Sequence, residues 1–92
     1  MEIEFDPAKN TRNIELRGIR FDLAAEMEFD SALVILDTRN DYGEDRFSAT
    51  GIIAGRVHVL IFKPTQAGIR VISLRKANER EVKRYEQAQT KP

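Results

Sequence analysis

The chain has 92 residues, 41% of them hydrophobic and 33% charged, which is enough for one modest hydrophobic core and predicts a single domain over residues 1–92. It contains no cysteine, and this excludes disulfides, thiolate metal sites and thiol nucleophiles. No segment has the roughly 18 apolar residues of a membrane helix, and the acidic start MEIEFDPAK lacks the apolar region of a secretory signal, so we expect a cytoplasmic protein that does not contact membranes.

Charge is unevenly distributed along the chain, although the net charge is zero. Residues 1–45 hold twelve Asp and Glu against five Lys and Arg, whereas residues 46–92 hold three against ten. A domain polarised in this way either presents one basic face or mixes the two halves on folding, and the sequence leaves both alternatives open.

Two helices are predicted in the first third of the chain. Asp6 is a suitable N-cap and Pro7 a suitable first helical residue, so the first helix should run to Arg17, with Gly18 as its left-handed C-cap. A second, shorter helix is predicted over 21–28, with Asp22 as its N-cap and Leu23, Ala24 and Met27 facing inward.

The rest of the chain is predicted to be mostly extended. Residues 2–5 alternate as a short strand would, and four apolar strands are predicted at 33–39, 46–54, 56–62 and 69–75. The turn-rich segment 40–45 and a tight hairpin at Ala54-Gly55 connect them. Because short loops favour an antiparallel meander, we predict an α+β fold: two N-terminal helices and a C-terminal helix packed on a mainly antiparallel four-stranded sheet.

The last helix is predicted to begin at Asn78, which forms a capping box with Glu81. Its apolar stripe consists of Val82, Tyr85 and Ala88, and residues 89–92 are expected to be a frayed tail. The many basic residues of this segment form either a solvated surface or the wall of a site that binds an anion.

Few residues are suited to acid–base or metal chemistry. His58, the single histidine, is either a general acid or base or an ordinary strand residue, and we favour the second because no acidic partner lies at an informative spacing. One histidine without cysteines or a recognised carboxylate spacing predicts no metal site and no cofactor. The phosphate-binding glycine motifs are also missing from the sequence.

The acidic residues around Tyr42-Gly43 (Asp41, Glu44 and Asp45) do not have the spacing of a calcium loop, so a polar turn is the better interpretation. Glu44 is retained as a candidate because Arg46 follows it where the chain changes from acidic to basic.

Arg75 closes a strand just before a helix begins, a position that can hold a guanidinium fixed against a phosphate.

Several motifs together resemble one family, the BrnT toxins of bacterial type II toxin–antitoxin systems. The similar segments are FDPAK at 5–9, Asn13, Gly18-Ile19 with Phe21, GEDRF at 43–47, Gly51, and ISLRKA at 72–77 followed by Glu81 and Tyr85. The resemblance implies a RelE-like fold and a small endoribonuclease that inhibits translation by cutting RNA without a metal. It also implies a BrnA-type antitoxin with a ribbon-helix-helix DNA-binding part, and a hetero-oligomeric complex that reaches operator DNA only through the antitoxin.

The same resemblance implies roles for individual residues. Arg46 and Arg75 are the candidates for stabilising charge on the phosphate, with Lys76 assisting. Proton transfer is assigned to Glu44, Glu81 or Tyr85, although the ring of Tyr85 is equally suited to anchor the last helix. The candidates for RNA binding are Arg17, Arg70, Arg80 and Arg84.

The chain departs from the family pattern in two places. The family's Lys-His-Gly at the end of the first helix reads Leu16-Arg17-Gly18, so a side chain that titrates near neutral pH is replaced by one that does not. A Thr-x-Arg-like segment is replaced by Lys63-Pro64-Thr65. These changes support a second hypothesis, a catalytically weakened or silent RelE-like module that acts by binding its antitoxin and repressing the operon.

Overall fold

The computed structural model describes residues 1–38 and 43–90 and contains a five-stranded mixed sheet. Its strands lie in the order β1-β5-β4-β3-β2. The elements in chain order are β1 (Glu2–Glu4), α1 (Pro7–Arg17), two short 3-10 helices (Phe21–Glu26 and Phe29–Ser31), β2 (Leu33–Leu36), β3 (Phe47–Ile53), β4 (Arg56–Pro64), β5 (Gly68–Lys76) and α2 (Glu79–Thr90).

The prediction of a four-stranded, mainly antiparallel sheet was wrong in one respect. Strands β2 to β5 form the predicted antiparallel meander, but β1 is added at the edge and runs parallel to β5, with Ile3 opposite Ile69. Glycine at position 68 permits this approach, because a side chain there would overlap the backbone of Glu2. The pairing also brings Ile3 and Phe5 against the hydrophobic core.

The first helix was predicted correctly, including both ends. Asp6 Oδ1 accepts a hydrogen bond from the backbone N–H of Ala8 at 2.9 Å. Pro7 is the first helical residue, and Gly18 adopts the left-handed conformation with a φ of 69°.

The second predicted helix, over 21–28, is instead a 3-10 helix that ends at Glu26, and Asp22 does not cap it. The carboxylate of Asp22 lies 3.5 Å from Arg20 Nε, and the backbone N–H of Phe21 donates to Asn10 Oδ1 at 2.8 Å. The side chain of Asn10, in α1, therefore accepts the backbone N–H at the start of this 3-10 helix. Ala24 and Met27 are buried as predicted, whereas Leu23 is only half-buried, and the 3-10 helix Phe29–Ser31 was not predicted.

The strand ends differ from the predictions by a few residues. β2 ends at Leu36 rather than at 39, while β4 continues to Pro64 and β5 to Lys76. Ala54 and Gly55 form the predicted tight turn, with φ values of 50° and 78°. Of the predicted turn at 40–45, residues 40–42 lie outside the described residues.

Helix α2 begins with the predicted capping box. Asn78 Oδ1 accepts from the backbone N–H of Glu81, and Glu81 Oε1 accepts from the backbone N–H of Asn78, both at 2.9 Å. The helix continues to Thr90 and so includes the first two residues of the predicted tail, where Gln89 Nε2 donates to the carbonyl oxygen of Ser31 at 2.9 Å. Residues 91–92 lie outside the described part of the chain.

The sheet has one face covered by the core and one largely open face. The core contains Ile19, Phe21, Ala24, Met27, Ala49, Ile53, Leu60, Phe62, Ile69, Val71 and Leu74. The cross-strand pairs Val59–Arg75, Ile61–Ser73 and Lys63–Arg70 lie on the opposite face, because alternate residues of a strand point to opposite sides. Helix α2 crosses one end of this second face, which we call the open face. Among the described residues, no helix is both long and apolar enough to cross a membrane.

Candidate functional site

A cavity of about 230 Å³ lies between the open face of the sheet and helix α2. Strands β3 and β4 supply its floor, the end of β2 and the residues after it supply one side, including Asp37, and β5 and α2 supply the other charged side chains. The lining residues are Ile35, Leu36, Asp37, Thr38, Ser48, Thr50, Val59, Ile61, Arg75, Glu81 and Arg84. The strand alternation explains this set, since Ser48, Thr50, Val59, Ile61 and Arg75 all point to the open face.

Arg75 is held in this cavity by a two-point ion pair with Glu81. Nη1 donates to Oε1 and Nη2 donates to Oε2, each at 2.8 Å. This geometry fixes the plane of the guanidinium as well as its position. The side chain of Arg75 is still 36% exposed, so part of the group faces the solvent in the cavity.

Glu81 is ionised at neutral pH and is poorly suited to carry a proton. The hydrogen bonds from the Arg75 guanidinium, followed by the backbone hydrogen bond from Asn78 and the positive charges of Arg75 and Arg84, lower the pKa of Glu81 to about 2, against the opposing effect of burial. A general base is most effective with a pKa near the working pH. The geometry therefore favours Glu81 as the residue that positions Arg75.

Asp37 is a residue of the cavity that the sequence analysis did not single out. It follows β2 directly, its side chain is buried, and its backbone N–H donates to the carbonyl oxygen of Arg46 at 2.7 Å. The signal in the sequence was a carboxylate placed directly after the apolar run LVIL. It was missed because residues 33–39 were interpreted as one continuous strand. Thr38, Ser48 and Thr50, which also line the cavity, were missed because nothing in the sequence alone distinguishes them from other strand residues.

A second charged cluster lies on the open face beside the cavity and contains three other predicted residues. Glu44 Oε2 lies 2.6 Å from Lys63 Nζ, and Glu44 Oε1 lies 3.8 Å from Arg46 Nη2. Arg70, the cross-strand neighbour of Lys63, is 3.5 Å from a carboxylate oxygen of Glu4. The hydrogen bond from Lys63 is the largest cause that lowers the pKa of Glu44. Glu44, Arg46 and Arg70 therefore share the open face with Arg75, but they do not line the cavity. Asp41, the remaining acidic residue of the predicted polar turn, lies outside the described residues.

Three predicted basic residues lie away from the cavity. Lys76 is opposite His58 in the sheet and is exposed, and the strand alternation directs it away from the face that carries Arg75. Arg80 lines a different groove on the first turn of α2. Arg17 donates from Nη1 to Asn13 Oδ1 at 2.9 Å and lies in a groove between α1 and β5.

Tyr85 and His58 have structural partners. The Tyr85 ring is only 7% exposed, and its hydroxyl lies 3.0 Å from Ser31 Oγ, so it attaches α2 to the segment before β2. His58 is buried, with Nδ1 2.8 Å from the carbonyl oxygen of Arg56. Neither side chain lines the cavity. Within 1–38 and 43–90, no three His, Cys, Asp or Glu side chains come together as ligands for a metal ion.

Comparison with known proteins assigns the chain to a family. The model of the family described as "Ribonuclease toxin, BrnT, of type II toxin-antitoxin system" matches residues 5–81. This chain belongs to the BrnT family. The matched region contains most of the residues that line the cavity, including Asp37, Arg75 and Glu81.

A solved BrnT structure has the same fold. The crystal structure of the ribonuclease toxin BrnT from Brucella abortus is 32% identical in sequence and superposes with a TM-score of 0.66, covering 86% of this chain and 99% of that one. None of the curated protein sequences compared with this chain matches it significantly. Membership of the BrnT family makes this chain a ribonuclease toxin of a type II system, which implies an antitoxin as its partner.

Proposed function

We propose that this BrnT protein is a metal-independent endoribonuclease that binds RNA across the open face and cleaves it in the cavity beside Arg75. It acts in the cytoplasm, inhibits translation by cutting RNA, and is neutralised by a BrnA-type antitoxin that carries the DNA-binding part of the complex. The single observation that carries the proposal is the fixed guanidinium of Arg75 in a cavity of a ribonuclease-toxin fold.

The side chains of the cavity suit cleavage by the ribose 2′-hydroxyl. Arg75 stabilises the negative charge that develops on the phosphate oxygens, and Arg84 adds a second cation on the same wall. Asp37 is the proposed proton acceptor for the attacking 2′-hydroxyl, because the low pKa of Glu81 makes that carboxylate a weak base. The new bond joins the 2′-oxygen to phosphorus, the bond to the 5′-oxygen breaks, and solvent protonates that leaving oxygen. The products are a 2′,3′-cyclic phosphate and a free 5′-hydroxyl.

The second charged cluster extends this surface along an RNA strand. Arg46, Lys63 and Arg70 lie on the same face as Arg75, and they are partly neutralised by Glu44 and Glu4. Partly neutralised cations of this kind suit weak, sequence-independent contacts with the RNA backbone, and such contacts weaken as salt rises.

The test is cleavage of single-stranded RNA by the purified protein in the presence of EDTA. Wild-type protein should cleave, and Arg75→Ala should lose about 10²–10³-fold in rate while retaining its circular dichroism spectrum. Arg80→Ala, which removes an exposed arginine from a different groove, serves as the charge-matched control and should cleave normally. Activity that disappears with EDTA would overturn metal independence, and full activity of Arg75→Ala would remove this residue from the site.

A second candidate function is a silent module that binds its antitoxin without cleaving RNA. It is favoured by the Arg at position 17 and by the low pKa of Glu81, which leaves this carboxylate unsuited to proton transfer. The two functions are separated by inducing the chain in a bacterial host with and without the adjacent reading frame. Growth arrest only without the neighbour supports the nuclease, whereas normal growth with folded protein and intact RNA supports the silent module.

A further inference from the structure

The outer strand of the sheet, β2, is unusually apolar for an edge. All four of its residues are aliphatic, and the side chains of Val34, Ile35 and Leu36 are 47%, 65% and 45% exposed. Edge strands are normally protected by charges, proline or a covering segment, because their free backbone groups pair with other chains. The other large apolar side chains exposed in the described ranges, Met1, Ile14 and Leu16, lie at the N-terminus and on α1.

The backbone of β2 directs specific polar groups outward. The backbone N–H of Asp37 donates to the carbonyl oxygen of Arg46. The backbone groups of the odd-numbered residues of this strand therefore form its hydrogen bonds with β3. Because adjacent residues of a strand direct their hydrogen bonds to opposite sides, the N–H and C=O groups of Val34 and Leu36 point away from the sheet. The strand order β1-β5-β4-β3-β2 places that side of β2 at the edge of the sheet.

This edge is continuous with the cavity. Ile35 and Leu36 line the cavity together with Arg75 and Arg84. A strand placed along β2 would therefore cover the side chain of Ile35, which is opposite Ser48 on the open face, and the residues that follow it would reach the cationic wall. The surface combines an apolar edge with positive charge beside it, and it fits an extended segment with apolar side chains on both faces and a carboxylate next to them.

We infer that the antitoxin binds this toxin by adding such an extended segment to β2, an inference that rests on the proposed toxin function because it takes the antitoxin as the partner. The carboxylate of the added segment pairs with Arg84 or Arg75 and closes the cavity to RNA. A second copy of this chain is the poorer occupant: it would bring another cationic rim to the first, and a pair of four-residue strands buries little area for a stable dimer.

The first test compares two substitutions of an exposed aliphatic residue by lysine. Val34→Lys places a charge on the edge at a position that does not line the cavity, and Leu16→Lys makes a matched change at a 74% exposed position on α1. Binding is measured with the protein encoded by the adjacent reading frame. Val34→Lys should weaken binding at least about tenfold, whereas Leu16→Lys should not change it. Val34→Pro removes an outward N–H without removing a hydrogen bond to β3, and it should weaken binding as well.

The second test is amide exchange followed by NMR in the free protein and in the complex. Strand addition predicts that the amides of Val34 and Leu36 exchange slowly only in the complex, while those of Leu33 and Ile35 are protected in both. Unchanged exchange at Val34 and Leu36, or wild-type binding by Val34→Lys, would overturn strand addition while RNA cleavage by the free protein still supports the proposed function. Strand addition would also be overturned if the protein encoded by the adjacent reading frame does not bind. Slow exchange of the Val34 and Leu36 amides in a homodimer of the free chain would instead assign the edge to a second copy. Loss of RNA cleavage alone would count against the nuclease and not against the docking edge.

Discussion

Arg75 and Glu81 are joined by two hydrogen bonds of 2.8 Å, and the same Glu81 carboxylate accepts a hydrogen bond from the backbone N–H of Asn78 in the capping box of helix α2. One side chain therefore orients a strand-end guanidinium and starts a helix. Because both partners of Glu81 belong to consecutive elements, the direction of the helix and the direction of the guanidinium are fixed together. In the proposed mechanism Glu81 therefore holds the guanidinium of Arg75 in place and does not transfer a proton.

Glu81→Gln should lower the turnover number more than it weakens RNA binding. Glutamine retains the shape and one acceptor for the cap, but it leaves Arg75 without its two-point partner, and a misplaced group of this kind costs on the order of 10–100-fold in rate. The Michaelis constant should not rise, since the cation of Arg75 remains. The measurement is steady-state cleavage, with Glu79→Gln on the same turn as control. An unchanged turnover number would contradict the positioning role.

The same ion pair should stabilise the protein at neutral pH and fail in acid. The pKa of Glu81 is lowered from 4.5 in the unfolded chain to about 2 in the folded protein, so its contribution is complete above about pH 4.5 and is lost as the pH falls towards 2. Because the Arg75 side chain of this pair is 36% exposed, solvent screens the interaction, and its contribution at neutral pH is smaller than the roughly 3 kcal/mol to which the full shift corresponds. Urea unfolding should show that the difference in free energy of unfolding between wild type and Glu81→Gln shrinks over this range. A difference that stays constant with pH would contradict the prediction.

Asp37→Asn should abolish cleavage while RNA binding is retained. Asparagine preserves the shape of the side chain but cannot accept the proton of the 2′-hydroxyl, and removal of a general base costs about 10²–10⁴-fold in rate. Asp30→Asn, at an exposed position before β2, is the matched control. Single-turnover cleavage and filter binding separate the two effects. Normal cleavage by folded Asp37→Asn protein would exclude this residue as the base.

Tyr85→Phe should affect stability and not cleavage. The substitution removes the hydroxyl that lies 3.0 Å from Ser31 Oγ, and loss of one such hydrogen bond costs about 1 kcal/mol. Ser31→Ala should have a similar effect, and the double substitution should cost less than the sum of the two because both remove the same contact. Thermal unfolding measures the first effect and RNA cleavage tests the second. A loss of cleavage in stable Tyr85→Phe protein would return this residue to the catalytic group.

Local signals in the sequence predicted the elements that depend on local physics. The caps of α1 at Asp6 and Gly18 and the capping box of α2 were all found, since each depends on residues within a few positions of one another. Asp22 shows the limit of this reasoning. It has the composition of an N-cap, but Asn10, eleven residues before Phe21, provides the hydrogen bond instead.

Contacts between segments that are distant along the chain could not be predicted from the sequence. The pairing of β1 with β5 joins residues more than sixty positions apart, and no periodicity specifies it. The candidate site was predicted only in part, because some of its residues come together through contacts between distant segments. Arg75 was identified from its place at the end of a strand and Glu81 from the family resemblance, whereas Asp37 joins the candidate site only because the fold brings the end of β2 into the same cavity as residues of β5 and α2.

The pairing of Glu2 with Gly68 also sets the order in which the molecule is completed during synthesis. The ribosome makes β1 early, but its partner strand is nearly the last element of the sheet, so this edge stays open until residues 68–70 emerge. Arg75 and Glu81 are made later still, after the other strands exist. Under the proposed function, a ribonuclease built in this order lacks the Arg75–Glu81 pair, and with it the proposed active site, until residue 81 has been synthesised.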